Sequence, residues 1–187
     1  MIFYIHGYLS SGDCYKARHY KHYFGSDNVH APTLPSSLSL AVAQLSDLIE
    51  AKRVKEPMGL IGASLGGYLA LYLADYFSIP AVLINPVVPP WESELAVSES
   101  GFCWESSHLD RLAPYRVSQF SPFLSSNILV LQQVLDEVLD EVLDSRLCRY
   151  YFKDVECLFD FSDGHRFGNI SQYDELVNAF FRQRGIV

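Results

Sequence analysis

The stretch PMGLIGASLGGYLALYLAD, residues 57–75, decides the fold because it joins a predicted strand to a predicted helix through a tight turn. The strand is indicated by an apolar run, and the helix by apolar residues at helical spacing from Leu65 onwards. Between them Gly62, Ser64 and Gly66 form the pattern G-x-S-x-G, which in this context predicts a nucleophile elbow. Such a turn lifts the serine hydroxyl clear of the sheet and brings neighbouring backbone too close for side chains, so glycine is needed on both sides. Ser64 is therefore the predicted nucleophile, with a plain glycine–serine turn as the alternative.

The same turn aims the first amides of the following helix at the serine hydroxyl, where an oxyanion would form. The amide of Leu65, directly after the nucleophile, is the first predicted donor. A second donor is expected from the sequence HGYL after the first predicted strand, at the amide of Tyr8. His6 and Gly7 of that sequence are expected to line the pocket.

Composition and charge predict one domain, residues 1–187, and exclude several classes of protein. A hydrophobic content of 49% suits a single well-filled core, and a net charge of −8 argues against nucleic-acid binding. The opening sequence MIFYIHG has no basic lead, and its apolar run is too short for a signal peptide or a membrane span. The cysteines are widely spaced and form no C-x-x-C pattern, so we expect reduced thiols and a cytoplasmic location. They are Cys14, Cys103, Cys148 and Cys157.

Apolar runs alternate with helical patterns along most of the chain. About six strands are predicted, at residues 1–5, 29–31, 58–61, 81–84, 128–131 and 155–161. Helices are predicted at residues 13–24, 38–52, 137–151 and 172–182 and after the serine. This alternation is typical of an α/β protein with a compact, three-layer, doubly wound and mostly parallel sheet. Reactive groups in such folds collect at the carboxyl ends of the strands.

The alternation lapses after the fourth strand, over residues 87–126. We expect this insertion, rich in proline, aromatic residues and glutamate, to form a cap or a pocket wall. Trp91, Phe102 and Trp104 are the candidates to line an acyl pocket. The glutamates would disfavour strongly anionic substrates. A solvated acidic loop with a small aromatic core of its own is the alternative.

Six histidines compete for the role of the base that takes the serine proton. His165 is preferred because it lies in a glycine-containing loop after the last strand, where the order Ser, acid, His of this kind of fold places the base. The remaining histidines besides His6 are interpreted as helix-face, structural or surface residues and not as metal ligands. They are His19, His22, His30 and His108.

The acid that orients the imidazole should follow the strand that ends near residue 132. The sequence VLDEVLDEVLD, residues 134–144, has three aspartates at helical spacing, so at most one would face the site. Asp136 is preferred because it lies nearest the strand end, in a position suited to a helix N-cap. Asp140 is the alternative, and Asp163 is a more distant one.

Five stretches, taken in this order, resemble the small bacterial YqiA/YcfP-type esterases, a compact branch of the α/β-hydrolase fold. They are HGYLSSG (6–12), GASLGGY (62–68), INPVVPP (84–90), LQQVLDEVLD (131–140) and GHRF (164–167). The resemblance covers essentially the whole chain. It implies a Ser-Asp-His triad with Ser64 and His165, no metal or organic cofactor, and hydrolysis of carboxylic esters or acyl thioesters.

The chain departs from this family at the aspartate. Val134-Leu135 stands where the family has a Thr-Gly turn, and the sequence EVLD is repeated once more. Counting from the strand selects Asp136, whereas counting back from Ser145-Arg146 selects Asp140. Both acids therefore stay open.

We conclude from the sequence that the chain is a serine hydrolase of carboxylic esters that forms an acyl-enzyme and acts on a small molecule. The first alternative is an acyl-CoA thioesterase, whose phosphate recognition would need a basic cluster at Lys16, Arg18 and Lys21. The second is a catalytically inactive binding protein whose altered aspartate loop has broken the triad. A homo-oligomer is compatible with the sequence, and the natural substrate stays open.

Overall fold

A six-stranded, all-parallel sheet forms the centre of the protein in a computed structural model that describes residues 1–89, 106–134, 145–161 and 167–187. Its strands are β1 (Ile2–Ile5), β2 (Val29–His30), β3 (Gly59–Ala63), β4 (Ala81–Ile84), β5 (Ile128–Gln133) and β6 (Glu156–Asp160). Their order across the sheet is β2-β1-β3-β4-β5-β6. The predicted doubly wound parallel sheet is confirmed.

Helices connect the strands. In the described residues they are α1 (Tyr15–Phe24), α2 (Leu38–Arg53), α3 (Leu65–Phe77), α4 (Ser106–Leu112), α5 (Pro122–Asn127), α6 (Ser145–Tyr151) and α7 (Asp174–Arg182). Short 3-10 turns lie at Ala113–Tyr115 and Ile170–Tyr173. The chain thus has the expected alternation of strand and helix.

Each face of the sheet carries its own core because successive residues of a strand point to opposite faces. Phe3 and Ile5 of β1 pack in one cluster with apolar residues of α2, α3 and α6. Ile2 and Tyr4 pack in the other with α1 and α7. Three layers result, with the sheet between two layers of helices.

The strand order reverses beside β1, which has β2 on one side and β3 on the other. The chain leaves β1 towards β2 and later returns to β3 on the other side of β1. The helix after β1, α1, and the helix after β3, α3, cover opposite faces of the sheet. A crevice for ligands forms at such a switch point, beyond the carboxyl ends of the strands. His6 follows β1 and Ser64 follows β3, so both lie at this crevice.

Several element boundaries differ from the sequence prediction for local reasons. The strand β2 ends at His30, and Pro32, which lacks a backbone donor, follows closely. The last helix begins at Asp174 because a 3-10 turn, Ile170–Tyr173, occupies the positions before it. For the helix predicted at 137–151, the described part begins at Ser145.

The described part of the insertion after β4 packs against α3 and α6. The Tyr68 hydroxyl donates to the Leu112 carbonyl at 2.8 Å. The Phe120 ring lies edge-on to Tyr151, the last residue of α6, with 5.3 Å between ring centroids. Trp91, Phe102 and Trp104 lie outside the described residues, so the cap or pocket wall stays a prediction. No helix in the described ranges is both long enough and apolar enough to span a membrane.

Candidate active site

Ser64 joins β3 to α3 in a strained conformation. Its φ of 55° and ψ of −122° lie in a region that residues with a side chain rarely occupy. Hydrogen bonds hold this backbone in place, among them a bond of 3.3 Å from the Tyr68 amide to the Ser64 carbonyl. The Ser64 amide donates to the Ile84 carbonyl at 2.9 Å, and the Ser64 carbonyl accepts from Gly67 at 2.9 Å and from Val87 at 3.1 Å. The surrounding structure therefore imposes the turn that the sequence predicted.

The two flanking glycines are required by close backbone contacts. A Cβ on Gly62 would lie 2.2 Å from the Gly66 carbonyl oxygen, and a Cβ on Gly66 would lie 2.1 Å from the Ile5 carbonyl oxygen. Both distances are far below van der Waals contact. No residue with a side chain could stand at either position without moving the backbone.

The loop after β1 lies directly beside the serine. A Cβ on Gly7 would lie 3.1 Å from the Ser64 Cβ and 3.6 Å from its Oγ. The next two residues, Tyr8 and Leu9, have 68% and 89% of their surface exposed, so they lie at the rim of the crevice. The first loop thus brings its backbone, without side chains in between, next to the hydroxyl.

Two backbone amides at this point are suited to bind an anion. Leu65 is the first residue of the 13-residue helix α3, whose first amides have no partner within the helix and whose dipole favours negative charge. Among the described residues, neither the Leu65 amide nor the Tyr8 amide has a hydrogen-bond acceptor. The role of these two amides as oxyanion donors stays a prediction.

His6 makes hydrogen bonds through both ring nitrogens. Nδ1 lies 2.8 Å from the Gly7 carbonyl oxygen, to which it donates, and Nε2 accepts from the Leu34 amide at 2.9 Å. The ring is neutral in this arrangement and only 7% exposed. Neither nitrogen remains to take a proton from serine. These contacts therefore favour the interpretation of His6 as a residue that shapes the loop and not as the base.

Two of the three described cysteines, Cys148 and Cys157, are poorly suited to act as nucleophiles. Cys14, Cys148 and Cys157 form no disulfide. Burial raises the pKa of Cys148 well above its usual value and that of Cys157 to about 11. Both thiols would therefore be protonated near neutral pH, when a nucleophile must be a thiolate.

His165, Asp136, Asp140 and Asp163 lie outside the described residues. The strand ends that lead to them are described. In the ladder between β5 and β6, Gln133 lies opposite Asp160, and the Val134 amide donates to the Asp160 carbonyl at 2.8 Å. The candidate acids and the candidate base therefore follow neighbouring strands, and their roles stay predictions.

A polar network at these strand ends was not foreseen from the sequence. The Asp160 carboxylate accepts hydrogen bonds from Gln133, Asn169 and Tyr173. The backbone amide of Gln133 in turn donates to the side-chain oxygen Oδ1 of Asn85 at 2.7 Å. Asn85, Gln133 and Asp160 lie at the ends of three neighbouring strands, and this position is the one signal that could have identified them.

The contact between His19 and Asp174 was also missed. The His19 Nε2 lies 2.7 Å from an Asp174 carboxylate oxygen, and both side chains are mostly buried. His19 is thus not on the solvated helix face that the sequence suggested. The described residues contain no group of three His, Cys, Asp or Glu side chains that could hold a metal.

One of the three cations that the thioesterase alternative would need is paired within the chain. The Arg18 guanidinium donates to the Asp13 carboxylate at 3.2 Å and to the Asp13 carbonyl at 2.7 Å. This pairing offsets one of the three positive charges on which phosphate recognition by a thioesterase would depend.

Comparison with known proteins gives one family and one fold. The family model described as "Uncharacterised protein family (UPF0227)" matches residues 1–182. Mouse alpha/beta hydrolase domain-containing protein 10 is similar in structure, with a TM-score of 0.69 and 16% identity over 97% of this chain and 89% of that one. A monoacylglycerol lipase of Paleococcus ferrophilus has a TM-score of 0.66 and 13% identity, over 96% of this chain and 92% of the lipase. Est1E of Butyrivibrio proteoclasticus, solved with ferulic acid bound, has a TM-score of 0.67 and 12% identity, over 97% of this chain and 88% of Est1E. These likenesses confirm the α/β-hydrolase fold.

Proposed function

The chain belongs to the family described as Uncharacterised protein family (UPF0227), the YqiA/YcfP-type family that its sequence resembles, and from this premise we propose that it is a serine hydrolase. The proposed reaction is cleavage of a carboxylic ester of an acyl group through an acyl-enzyme. The observation that carries the proposal is the strained backbone of Ser64, at a φ of 55° between β3 and α3. A plain connection from strand to helix needs no such strain, whereas a hydroxyl lifted towards a substrate does.

In the proposed reaction the Ser64 Oγ attacks the carbonyl carbon of the ester, and His165 takes the serine proton. The charge that develops on the carbonyl oxygen is stabilised by the amides of Leu65 and Tyr8. His165 then returns the proton to the leaving alcohol as the C–O bond breaks. Water attacks the acyl-enzyme in a second step, again with His165 as base, and releases the carboxylic acid and the free serine. No cofactor takes part in these steps.

Asp136 is the proposed acid that orients the His165 imidazole, and Asp140 is the alternative. An acid in this role holds the ring in the tautomer that presents an unprotonated nitrogen to serine. The choice between the two decides how the extra EVLD repeat is accommodated. It does not alter the chemistry.

The substrate class is supported by the surroundings of the serine. The exposed residues Tyr8 and Leu9 of the first loop offer apolar surface beside the crevice. Trp91, Phe102 and Trp104 of the insertion are the proposed acyl-pocket residues. Solved structures with this fold include a monoacylglycerol lipase and Est1E with bound ferulic acid. An uncharged ester of a small acyl group is therefore the first substrate to test.

Hydrolysis of p-nitrophenyl butyrate tests the proposal. We expect Ser64→Ala to lower kcat by at least about 10⁴-fold, since no other group can form the acyl-enzyme. The matched control is Ser26→Ala, which changes an exposed serine in a turn and should keep full activity. Turnover that survives in Ser64→Ala would refute the nucleophile. In the same assay, Asp136→Asn should cost about 10⁴-fold, and a comparable loss in Asp140→Asn alone would select the other acid.

The two alternatives are separated by simple comparisons. Butyryl-CoA carries the same acyl chain as p-nitrophenyl butyrate, so a much higher kcat/KM for the thioester would favour a thioesterase. The pairing of Arg18 with Asp13 speaks against a free phosphate-binding cluster. A binding protein without activity would hydrolyse neither compound.

A further inference from the structure

We propose that Asp160 is a positioning residue, whose carboxylate fixes the ends of the connection that carries His165 relative to the strand that leads to the candidate acids. The inference rests on the proposed function. Asp160 itself would touch neither substrate nor the reacting serine. It would act through the place it gives to the base.

The first half of the argument is the link between β5 and β6. Gln133 is the last residue of β5 and is only 5% exposed, and its Nε2 donates to the Asp160 Oδ2 at 3.0 Å. The Val134 amide donates to the Asp160 carbonyl at 2.8 Å. Side chain and backbone of Asp160 therefore both hold the end of β5, immediately before the segment that contains Asp136 and Asp140.

The second half is the link from Asp160 to the chain after His165. The Asn169 Nδ2 donates to the same Asp160 Oδ2 at 3.2 Å, and the Tyr173 hydroxyl also donates to that oxygen. A side-chain bond thus closes the connection between residues 160 and 169, within which His165 lies. Phe167, fully buried at a φ of 51° and packed against the Tyr173 ring, holds the same end of the connection.

The network continues towards the nucleophile. The backbone amide of Gln133 donates to the Asn85 Oδ1 at 2.7 Å, and the backbone amide of Asn85 donates to the Leu131 carbonyl at 2.8 Å. Asn85 directly follows Ile84, whose carbonyl accepts from the Ser64 amide at 2.9 Å. An unbroken path of hydrogen bonds and peptide links therefore runs from the elbow through β4 and β5 to Asp160.

Within the part of the chain that the structure describes, at least three side-chain donors converge on one carboxylate oxygen of Asp160. An ionised carboxylate only accepts hydrogen bonds, and bonds to a charged acceptor are shorter and stronger than neutral ones. Such a cluster is a rigid anchor at the place where two candidate triad members leave the sheet. Since a misplacement of about 1 Å in a catalytic group costs on the order of 100-fold in rate, rigidity here has a direct use in the reaction.

The test compares two esters of the same acid, p-nitrophenyl butyrate and ethyl butyrate. The p-nitrophenolate leaves without help, whereas the ethoxide must receive a proton from the base as it leaves. A misplaced base therefore slows ethyl butyrate more than p-nitrophenyl butyrate. A loss of folded protein lowers kcat/KM for both esters by the same factor.

Tyr173→Phe and Asp160→Ala are the test variants, and Tyr23→Phe is the matched control. Tyr23 also donates its hydroxyl to a carboxylate, that of Glu175 at 3.0 Å, but away from the strand ends. We expect both test variants to lower kcat/KM for p-nitrophenyl butyrate by about 10- to 100-fold and for ethyl butyrate by a larger factor. Asp160→Asn, which keeps an acceptor oxygen, should restore part of the loss. Tyr23→Phe should leave the ratio of the two kcat/KM values unchanged.

Three results would overturn the inference. Equal losses for the two esters, in step with a lower melting temperature, would give Asp160 a purely structural role. A loss near 10⁴-fold in Asp160→Asn, as expected for a triad acid, would mean that Asp160 contacts the base directly. A wild-type protein that hydrolyses neither ester would refute the proposed function, and this inference with it, whereas in the first two cases the proposed function stands.

Discussion

At the scale of single residues, the backbone of Ser64 is the feature that links sequence to function. A φ of 55° in a residue with a side chain costs about 1–3 kcal/mol. Hydrogen bonds to Ile84, Gly67 and Val87 hold it, and the absence of side chains at Gly62 and Gly66 makes room for it. Stability is thus given up at the residue that we propose as the nucleophile.

This strain predicts that Ser64→Gly is more stable than Ser64→Ala. Alanine keeps the unfavourable φ, whereas glycine occupies it readily and loses only part of the gain to its greater freedom in the unfolded chain. We expect a difference of about 1 kcal/mol in the free energy of unfolding, measured with urea. At the exposed control position, Ser26→Gly should be no more stable than Ser26→Ala. A Ser64→Gly protein that is less stable than Ser64→Ala would contradict the strain.

At the scale of elements, His30 at the end of β2 predicts a dependence of stability on pH. Its ring packs edge-on against Phe3, with 5.1 Å between centroids. Burial lowers the pKa of His30, and the positive charges of Lys52 and Lys21 lower it further. The unfolded chain therefore binds more protons than the folded one between the ordinary value of 6.5 and the lowered value. Across that window the free energy of unfolding rises with pH.

Replacing His30 by glutamine should remove this contribution. We expect the wild type to lose stability as the pH falls from 7 to 5, and His30→Gln to lose less over the same range. His22→Gln, which changes an exposed histidine on α1, is the control. Urea unfolding at both pH values measures the difference. If the free energies of unfolding of His30→Gln and wild type fall by the same amount between the two pH values, burial of His30 does not govern this part of the pH dependence.

The elements themselves were largely predictable from the sequence. Apolar runs predicted all six strands. The four inner strands are buried along their whole length, as in a parallel sheet covered on both faces, whereas the edge strand β6 is only partly buried. The boundaries were less predictable. The 3-10 turn Ile170–Tyr173 and the two additional residues of β5, Gln132 and Gln133, depend on contacts made in the folded protein. A glutamine pair reads as the end of a strand until the partner Asp160 is known.

At the scale of the whole molecule, the topology unites groups that are distant in the chain. The switch point beside β1 brings Gly7 against Ser64. The sequence placed both residues just past the ends of predicted strands, whereas the order of the strands came from the structure. The pair His19–Asp174 spans 155 residues and carries no local pattern, so it could not be predicted. The same holds for the donors around Asp160. The triad acid, the single-domain arrangement with its cap and the cytoplasmic location stay predictions.

The central claim is that Ser64 is a nucleophile made reactive by His165. It is tested most directly by treating the full chain with a fluorophosphonate probe and locating the adduct by mass spectrometry of peptides. We predict one adduct, on Ser64, that is absent in Ser64→Ala and forms far more slowly in His165→Ala, while His22→Ala reacts like the wild type. No adduct on the wild-type protein, or labelling of His165→Ala at the wild-type rate, would contradict the claim.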